Sequence, residues 1–414
     1  MSQGRLIVAC DFGTTSFRAL VTEVFANGDL DIVGHAVCEA AGFVDGDFVD
    51  LKAGAKCIAE TIKALENDSD IYVSAFTYNI SGSHLRSVHA TAQVPIGPGP
   101  RPIRQADVTE VRNLARSMAI PFDHKILTVT PVEFSVDRVR GVVDPLGRVG
   151  SQLEIQAHLI TGSRSVLHNI ENAIETAGYK PHGEEVDVLA TAEALLSPDD
   201  REKGVILIDI GGLSTSWAVY RKGTIAANGM VALGGQLLTS DLAHGLRISL
   251  EEAEDVKVTR GVVLRSLVAD VTPSVLFDSE QPTETPGLVA AILEPRVEEL
   301  LSYVKNDFGN LRELASLGAG VVLTGGGSRC LGTRELCEEV FDLPVRRQYL
   351  PLQVIGAEQL PDGQWATVLG LSMWAASVFG ENGDDHDPGP GGGLLGKLRG
   401  IFKRTTADKM TAKG

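Results

Sequence analysis

Apolar and polar residues alternate along residues 5–24 around one short polar turn, and this period-two pattern predicts a β-hairpin. A helical stretch is expected over Ala53–Glu66, followed by an apolar strand over Asp70–Phe76. "VPIGPGPRPI" then reads as a proline-rich loop, Ala106–Ile120 as an amphipathic helix and "LEIQAHLIT" as a strand, which makes the stretch between Gly82 and Ile160 a small inserted α+β unit. A helix is expected over Ser165–Ala177. The second half opens with "GVILIDIGGLSTSWAVYRKGTIAANGMVALGG" (Gly204–Gly235), which again runs strand, acid, glycine-rich turn, strand, turn, strand. Residues 5–37 have that same order. Two copies of one three-stranded unit imply a duplicated α/β fold with a pseudo-twofold relation. Further helices are expected over Ser249–Arg260 and Leu288–Asp307, and "GVVLTGGGSRCLGTRELCEEVF" reads as strand, triple glycine and helix. Residues 363–379 make an apolar helix, and 380–393, "GENGDDHDPGPGGG", a flexible linker by composition.

Composition narrows the classes. A chain of 414 residues suggests two or more domains or one large split one, and 43% apolar with 5% aromatic residues suits a soluble globular protein. The net charge of -17 argues against nucleic acid as a partner, because phosphate backbones need a basic face. No apolar run reaches the roughly 18 residues of a membrane-spanning helix, and "MSQGRLIVAC" lacks the features of a signal peptide. Five scattered cysteines show no zinc spacing and are expected to be buried or inert thiols of a reducing cytoplasm.

The chemistry concentrates at turns. In "ACDFGTTSFRAL" a strand runs into Asp11 and then Gly13-Thr14-Thr15; in the second copy Asp209 precedes Gly211, Gly212 and Ser214. Placed face to face, the two turns form the walls of one cleft, where glycine lets backbone N–H groups approach phosphate oxygens. The two carboxylates suit a hydrated Mg²⁺, which keeps several waters beside one or two acids and phosphate oxygens. "TGGGSRCLG" adds a third turn, Gly325-Gly326-Gly327, against which a flat base and ribose can lie. The plain alternative is three tight turns and nothing more.

With two acid–glycine turns and a late triple glycine, the sequence resembles the actin-like ATPase superfamily. The first turn alone is also similar to sugar kinases of the glycerol-kinase type. "LTVTPVEFSVD", "GVVDPLGRVGSQLEIQAHLITG", "GVILIDIGG", "TSDLAHGLRISLEEAEDVKVTRG", "AILEPRVEELL" and "GAGVVLTGGG" occur in the order typical of the bacterial cell-division family FtsA, and the resemblance spans about residues 5–379. It implies an ATP- and Mg²⁺-binding, filament-forming actin homologue on the cytoplasmic face of the inner membrane at the septum. Such a protein tethers the tubulin-like FtsZ and meets other division proteins. The implied division is 1A (1–84, 160–198 and 365–379), an inserted 1C-like unit (85–159), 2A (199–240 and 313–364) and 2B (241–312). Asp11 and Asp209 become the catalytic and metal acids. Glu254 and Lys257 match positions that contact ribose and adenine, although the bland reading is a surface ion pair at i, i+3. Arg296 matches the arginine that receives the FtsZ C-terminal peptide, against a plain pairing with Glu299 on its own helix.

The chain departs from the family pattern in its second turn, usually D-I-G-G-G-T-T-D. Leu213 is expected to put a branched side chain where phosphates approach, Ser216 replaces an acid, and Trp217 takes a small aliphatic position. Slow hydrolysis at most is the expectation. The loop "TPSVLFDSEQPTETPG" also lacks the arginines common in the family.

In "GGLLGKLRGIFKR", Leu394, Leu395, Leu398, Ile401 and Phe402 share one helical face, with Lys397, Arg399, Lys403 and Arg404 on its flanks. A basic amphipathic helix over 394–404 suits the surface of an anionic membrane; docking on the protein body or a solvated tail are the alternatives. Two other classes share the fold: a small-molecule kinase and a type IV pilus assembly protein.

Overall fold

The computed structural model describes residues 4–379 apart from 26–27, 118–119, 270–285, 309–316, 349, 351–353 and 361–362. β1 (Arg5–Phe12), β2 (Ser16–Val24) and β3 (Leu30–Glu39) form an antiparallel meander. Helix α1 (Leu51–Ser69) begins where Asp50 accepts hydrogen bonds from the backbone N–H groups of Lys52 and Ala53. It runs on past Glu66, and Asp70 caps its end in the left-handed conformation, so the strand expected from Asp70 begins instead at Ala75 as β4 (Ala75–Ile80).

The chain then leaves the first sheet. β5 (Arg86–Pro95), α2 (Gln105–Arg116), β6 (His124–Val136), β7 (Val139–Val142) and β8 (Gln152–Ser163) build a separate four-stranded sheet in the order β7-β6-β8-β5. Val108, Val111 and Ala115 of α2 cover it, forming a small core with Phe134, Leu153 and Ile155. Helix α3 (Arg164–Thr176) and β9 (Lys180–Val186) return to the first sheet, whose order is β9-β4-β1-β2-β3.

Helix α4 (Asp187–Leu195) leads to β10 (Val205–Ile210), β11 (Thr215–Arg221) and β12 (Thr224–Val231), a second antiparallel meander. Helices α5 (Gly235–Leu246), α6 (Leu250–Arg260) and α7 (Pro286–Asp307) follow, then β13 (Val321–Thr324), α8 (Thr333–Phe341), β14 (Val345–Arg347) and α9 (Ala366–Phe379). The second sheet reads β14-β13-β10-β11-β12. In both sheets the first strand of the meander pairs in parallel with the fourth strand, and the fourth with the fifth. The duplication expected from sequence is therefore a repeat of topology, strand for strand.

Strand alternation positions the acids. Cys10 and Phe12 pack with Ile58, Ile62 and Ile170 on the outer face of the first sheet. Ala9 faces the other way, with Ala190 of α4 and Val368 and Leu371 of α9. In the second sheet Ile206, Ile208 and Ile210 join α5 and α7, while Val205 and Leu207 pack on Val188, Ala192 and Leu195 of α4. Asp11 is in phase with Ala9, and Asp209 with Val205 and Leu207. Both acids thus project into the layer between the sheets that α4 and α9 occupy. These two helices cross very closely: a Cβ on Gly370 would lie 1.7 Å from the Ala190 carbonyl oxygen.

All five cysteines are free, and four of them are buried. Among the described residues no helix is long and apolar enough to cross a membrane.

Candidate functional site

The two hairpins turn alike. Gly13 N–H donates to the Ser16 carbonyl at 3.2 Å, and Gly211 N–H donates to the Ser214 carbonyl at 2.9 Å. Register then puts Asp11 opposite Arg18 in the first hairpin and Asp209 opposite Ser216 in the second. The turns meet across the gap between the lobes: a Cβ on Gly212 would stand 2.7 Å from Thr15 Cγ2 and 2.9 Å from Thr14 Oγ1. Between them opens a cleft of about 1010 Å³. Its wall includes Asp11, Gly13, Thr14, Thr15, Asp209, Gly211, Gly212, Ser214, Glu254, Lys257 and Gly325 to Gly327, so the residues singled out from the three turns and from α6 converge on one space.

The third turn is built by necessity. Gly325 has φ +85°, and a Cβ there would lie 2.3 Å from Asp209 Oδ1 and 2.5 Å from the Ile210 carbonyl oxygen. A 3₁₀ turn, Gly326–Arg329, follows before α8 starts at Thr333. Beside this turn Lys257 Nζ donates to the Gly235 carbonyl oxygen at 3.1 Å, to Thr239 Oγ1 at 2.8 Å and to Glu254 Oε2 at 2.6 Å. The i, i+3 ion pair exists, but it lines the cleft rather than decorating a solvated face.

The departures in the second turn have separate outcomes. Leu213 is not part of the cleft wall, so the expected obstruction is corrected: the Gly211–Ser214 turn leaves Gly212 and Ser214, and not position 213, on that wall. Trp217 points into the core of its lobe, where Nε1–H donates to Asp307 at 2.9 Å and the ring meets Phe308 edge-on at 4.5 Å. Gly229 lies across from it on β12 and leaves room for the indole, since a Cβ there would fall 2.5 Å from Trp217 Cζ2. Ser216 donates its hydroxyl to Asp187 Oδ2 at 2.7 Å.

Asp187 is a site residue that the sequence reading missed, together with Arg18 and Gln364, all on the cleft wall. Burial pushes the Asp187 carboxyl up to about 6, against the hydrogen bonds from Ser216 and from the Val188 N–H. Burial also raises Asp11 to about 6, opposed by the Arg18 guanidinium and reinforced by Asp187. Asp209 rises to about 7 through burial and then through the nearby charges of Asp187 and Asp11. The Arg18 guanidinium donates to Gln364 Oε1, just ahead of α9. Three acids against one arginine make an electronegative pocket that favours a cation. Among the described residues no group of three or more His, Cys, Asp or Glu side chains is placed to hold a metal ion by itself. Ser16, 9% exposed and on the cleft wall, has a hydroxyl with no protein partner. The acids, the glycine cradles and this spare hydroxyl fit a Mg²⁺–nucleotide.

Arg296 lies apart from the cleft. Its guanidinium reaches both oxygens of Asp241 on α5 and also Glu299, so the pairing within its own helix is real but is only half of its environment. The loop at 270–285, the linker at 380–393 and Leu394, Leu395, Leu398, Ile401 and Phe402 lie outside the described residues.

Two family models match the chain: the SHS2 domain inserted in FtsA, over residues 82–161, and cell division protein FtsA, over residues 206–370. Cell division protein FtsA of Neisseria meningitidis is 32% identical over 409 residues, covering 96% of this chain and 98% of that protein. The Escherichia coli K12 protein of the same name is 31% identical, covering 89% of each chain. Among solved structures, a PilM-PilN type IV pilus biogenesis complex aligns with a TM-score of 0.59 at 16% identity over 88% of this chain and 97% of that one. ADP-bound MreB5 of Spiroplasma citri gives 0.51 at 13% identity over 90% of this chain and 97% of that one. These two likenesses concern the fold alone.

Proposed function

The chain belongs to the family of the cell division protein FtsA, and from that premise we propose that it is a nucleotide-binding, actin-like adaptor that tethers FtsZ filaments to the cytoplasmic face of the inner membrane and assembles with copies of itself. Of the three classes that suit the fold, family membership supports this one over a sugar kinase or a pilus protein. The observation that carries the nucleotide part is the pair of equivalent hairpins, with Asp11 and Asp209 at the same position of each, facing one cleft.

In this reading Asp11 and Asp209 hold hydrated Mg²⁺. Backbone N–H groups of residues 13–15 and 211–212, with Ser214, cradle phosphate oxygens. Glu254 and Lys257 contact the ribose and base, which lie against Gly325 to Gly327. When bound, Mg²⁺ neutralises phosphate charge. The subdomain boundaries given from sequence are the division proposed for the whole chain.

Arg296 supports the FtsZ part, since a guanidinium can pair bidentately with a peptide carboxylate. Because Asp241 and Glu299 already engage it, a peptide has to share or displace them. Binding should therefore be salt-sensitive. Fluorescence anisotropy with an FtsZ tail peptide should show binding that Arg296→Glu removes; equal affinity in both proteins takes Arg296 out of the site. The test of the cleft is calorimetric titration of ATP with Mg²⁺ present. Wild type should bind, and Asp11→Ala should abolish the Mg²⁺-dependent part. No binding by wild type refutes the nucleotide reading.

A further inference from the structure

The inserted sheet runs away from the first lobe and ends in a hairpin and loop over residues 137–150. Asp137 and Arg138 turn the chain with φ 47° and 71°, a left-handed conformation that asparagine or glycine adopts more easily than arginine. The acids here are engaged in folding the tip. Asp137 accepts the Ser151 and Gln152 N–H groups at 2.9 Å, Glu133 accepts the Gly141 N–H, and Asp144 accepts the Leu146 N–H at 3.0 Å. The arginines are not so engaged: Arg138, Arg140 and Arg148 are exposed and, among the described residues, make no hydrogen bond or ion pair. Between them stand apolar side chains turned to water. Val139, Val143, Leu146 and Val149 are 45–82% exposed, while Val142 joins Phe134 and Val136 in the small core. Single exposed valines need no explanation, but four apolar side chains on one short segment mark an interaction surface. The hollow beside them, lined by Ser135, Arg138, Arg140 and Glu154, measures about 100 Å³, well below the roughly 300 Å³ at which ligand pockets begin. A tip of this shape offers no groove for a peptide and suits a broad, soft surface. Its charge agrees: the insert over 82–161 carries nine Lys and Arg against seven Asp and Glu, in a chain of net charge -17.

We propose that the tip of the insert, residues 138–149, is a second contact with an anionic lipid bilayer, separate from the tail. Val139, Val143, Leu146 and Val149 enter the headgroup layer. Arg138, Arg140 and Arg148 pair with lipid phosphates while their stems lie along the apolar boundary. Both contacts can be made at once. Phe379, the last described residue, stacks on His182 of β9 at 4.6 Å, and Glu184 of that strand is bridged at 2.7 Å by Lys125, next to the first residue of β6. The chain therefore leaves the body at the root of the insert. The 13 residues of β6 put the tip about 40 Å from that root. Residues 380–393 span at most about 50 Å when extended, so residues 394–404 and the tip can reach one bilayer plane. Two contacts fix the orientation of the body on the bilayer, which one attachment alone leaves free, and each raises the effective concentration of the other.

Because the tip contact rests on the adaptor reading, the experiment has to tell their failures apart. The full chain with Val143→Cys, labelled with an environment-sensitive dye, is titrated with vesicles of phosphatidylglycerol and phosphatidylcholine, and with phosphatidylcholine alone. Wild type treated in the same way gives the background from its own thiols. The dye should shift to the blue with phosphatidylglycerol present and stay unshifted without it. Flotation then compares wild type, Arg140→Gln and Lys56→Gln, the last an exposed lysine on α1 that changes net charge equally; circular dichroism melts verify folding. Arg140→Gln should lower vesicle affinity about fivefold, the equivalent of about 1 kcal/mol for a basic residue at an anionic surface, and Lys56→Gln should leave it nearly unchanged. Equal losses in the two variants overturn the proposal, since net charge alone then explains them. A full chain that floats while the dye at position 143 reports water throughout also overturns it and leaves the tail as the anchor. A dye shift that needs no vesicles and follows protein concentration places a second copy on the tip and overturns it as well. A full chain that binds neither kind of vesicle overturns the adaptor reading, and the tip contact with it.

Discussion

Lys257 is held by three acceptors on the cleft wall, and its side chain is only 10% exposed. An exposed i, i+3 pair contributes only a few tenths of a kcal/mol, whereas charge-assisted contact with a ligand contributes about 1.5–3 kcal/mol. Lys257→Ala should accordingly weaken ATP binding about tenfold or more, measured by calorimetry. A lower melting temperature with unchanged affinity would make the lysine a brace of the wall and nothing further. Asp11 and Asp209 were legible in the sequence because acid, glycine and hydroxyl follow a strand within a few residues. Arg18 was printed in the same string, and its place opposite Asp11 follows from hairpin register once the turn is fixed. Asp187 was not legible. It sits on a helix that ends another lobe's sheet, and only tertiary packing brings it to Ser216.

Helices α4 and α9 pack between the lobes, and Gly370 is a point of close approach between them. Gly370→Ala drives a methyl group into the Ala190 carbonyl, and overpacking of this kind costs about 1–3 kcal/mol. A thermal melt should show the loss, with weaker ATP binding beside it, because Asp187 of α4 and Thr367 of α9 line the cleft. The inserted sheet docks on the second lobe through His158, whose Nε2 shares a 2.8 Å hydrogen bond with Asn228 Oδ1 on β12. Burial lowers the His158 pKa to about 4, with His89 adding to the effect and Asn228 opposing it. The folded value lies below the unfolded one, so the unfolded state takes up a proton first. The contribution of neutral His158 is present above about pH 6.5 and is lost as the pH falls toward 4. Hydrogen exchange should therefore show β5 and β8 less protected at pH 5 than at pH 7, after correction for intrinsic rates. His158→Phe should flatten that difference, and an equal pH response in both proteins would place the switch elsewhere. Periodicity located these elements well and their ends less well. The Asp70–Phe76 strand shifted because α1 ran on to Ser69 and Asp70 closed it, a choice made by local capping that apolar patterning does not record.

The whole molecule repeats one sheet topology about a central cleft and carries a small sheet where the chain leaves β4. The repeat was visible in sequence because each copy keeps its acid and turn. The close meeting of the two turns, Gly212 against Thr14 and Thr15, was not, since it depends on how far the lobes close. In the proposed assembly, a head-to-tail contact that does not close on itself should make filaments. Electron microscopy on an anionic lipid monolayer should show them, and isolated monomers at high surface density would count against assembly. For the tail, burying five apolar side chains partway at up to about 1.5 kcal/mol each, less the cost of ordering the helix, and placing four basic residues at about 1 kcal/mol each should give the proposed attachment a reversible character, strengthened by assembly. The central claim is that this chain links FtsZ to a membrane. The direct measurement is flotation of FtsZ polymers with anionic vesicles, in the presence of wild type or of a chain truncated after Gly393. The account predicts that FtsZ floats with wild type and stays at the bottom with the truncated chain; equal flotation in both, or none in either, would contradict it.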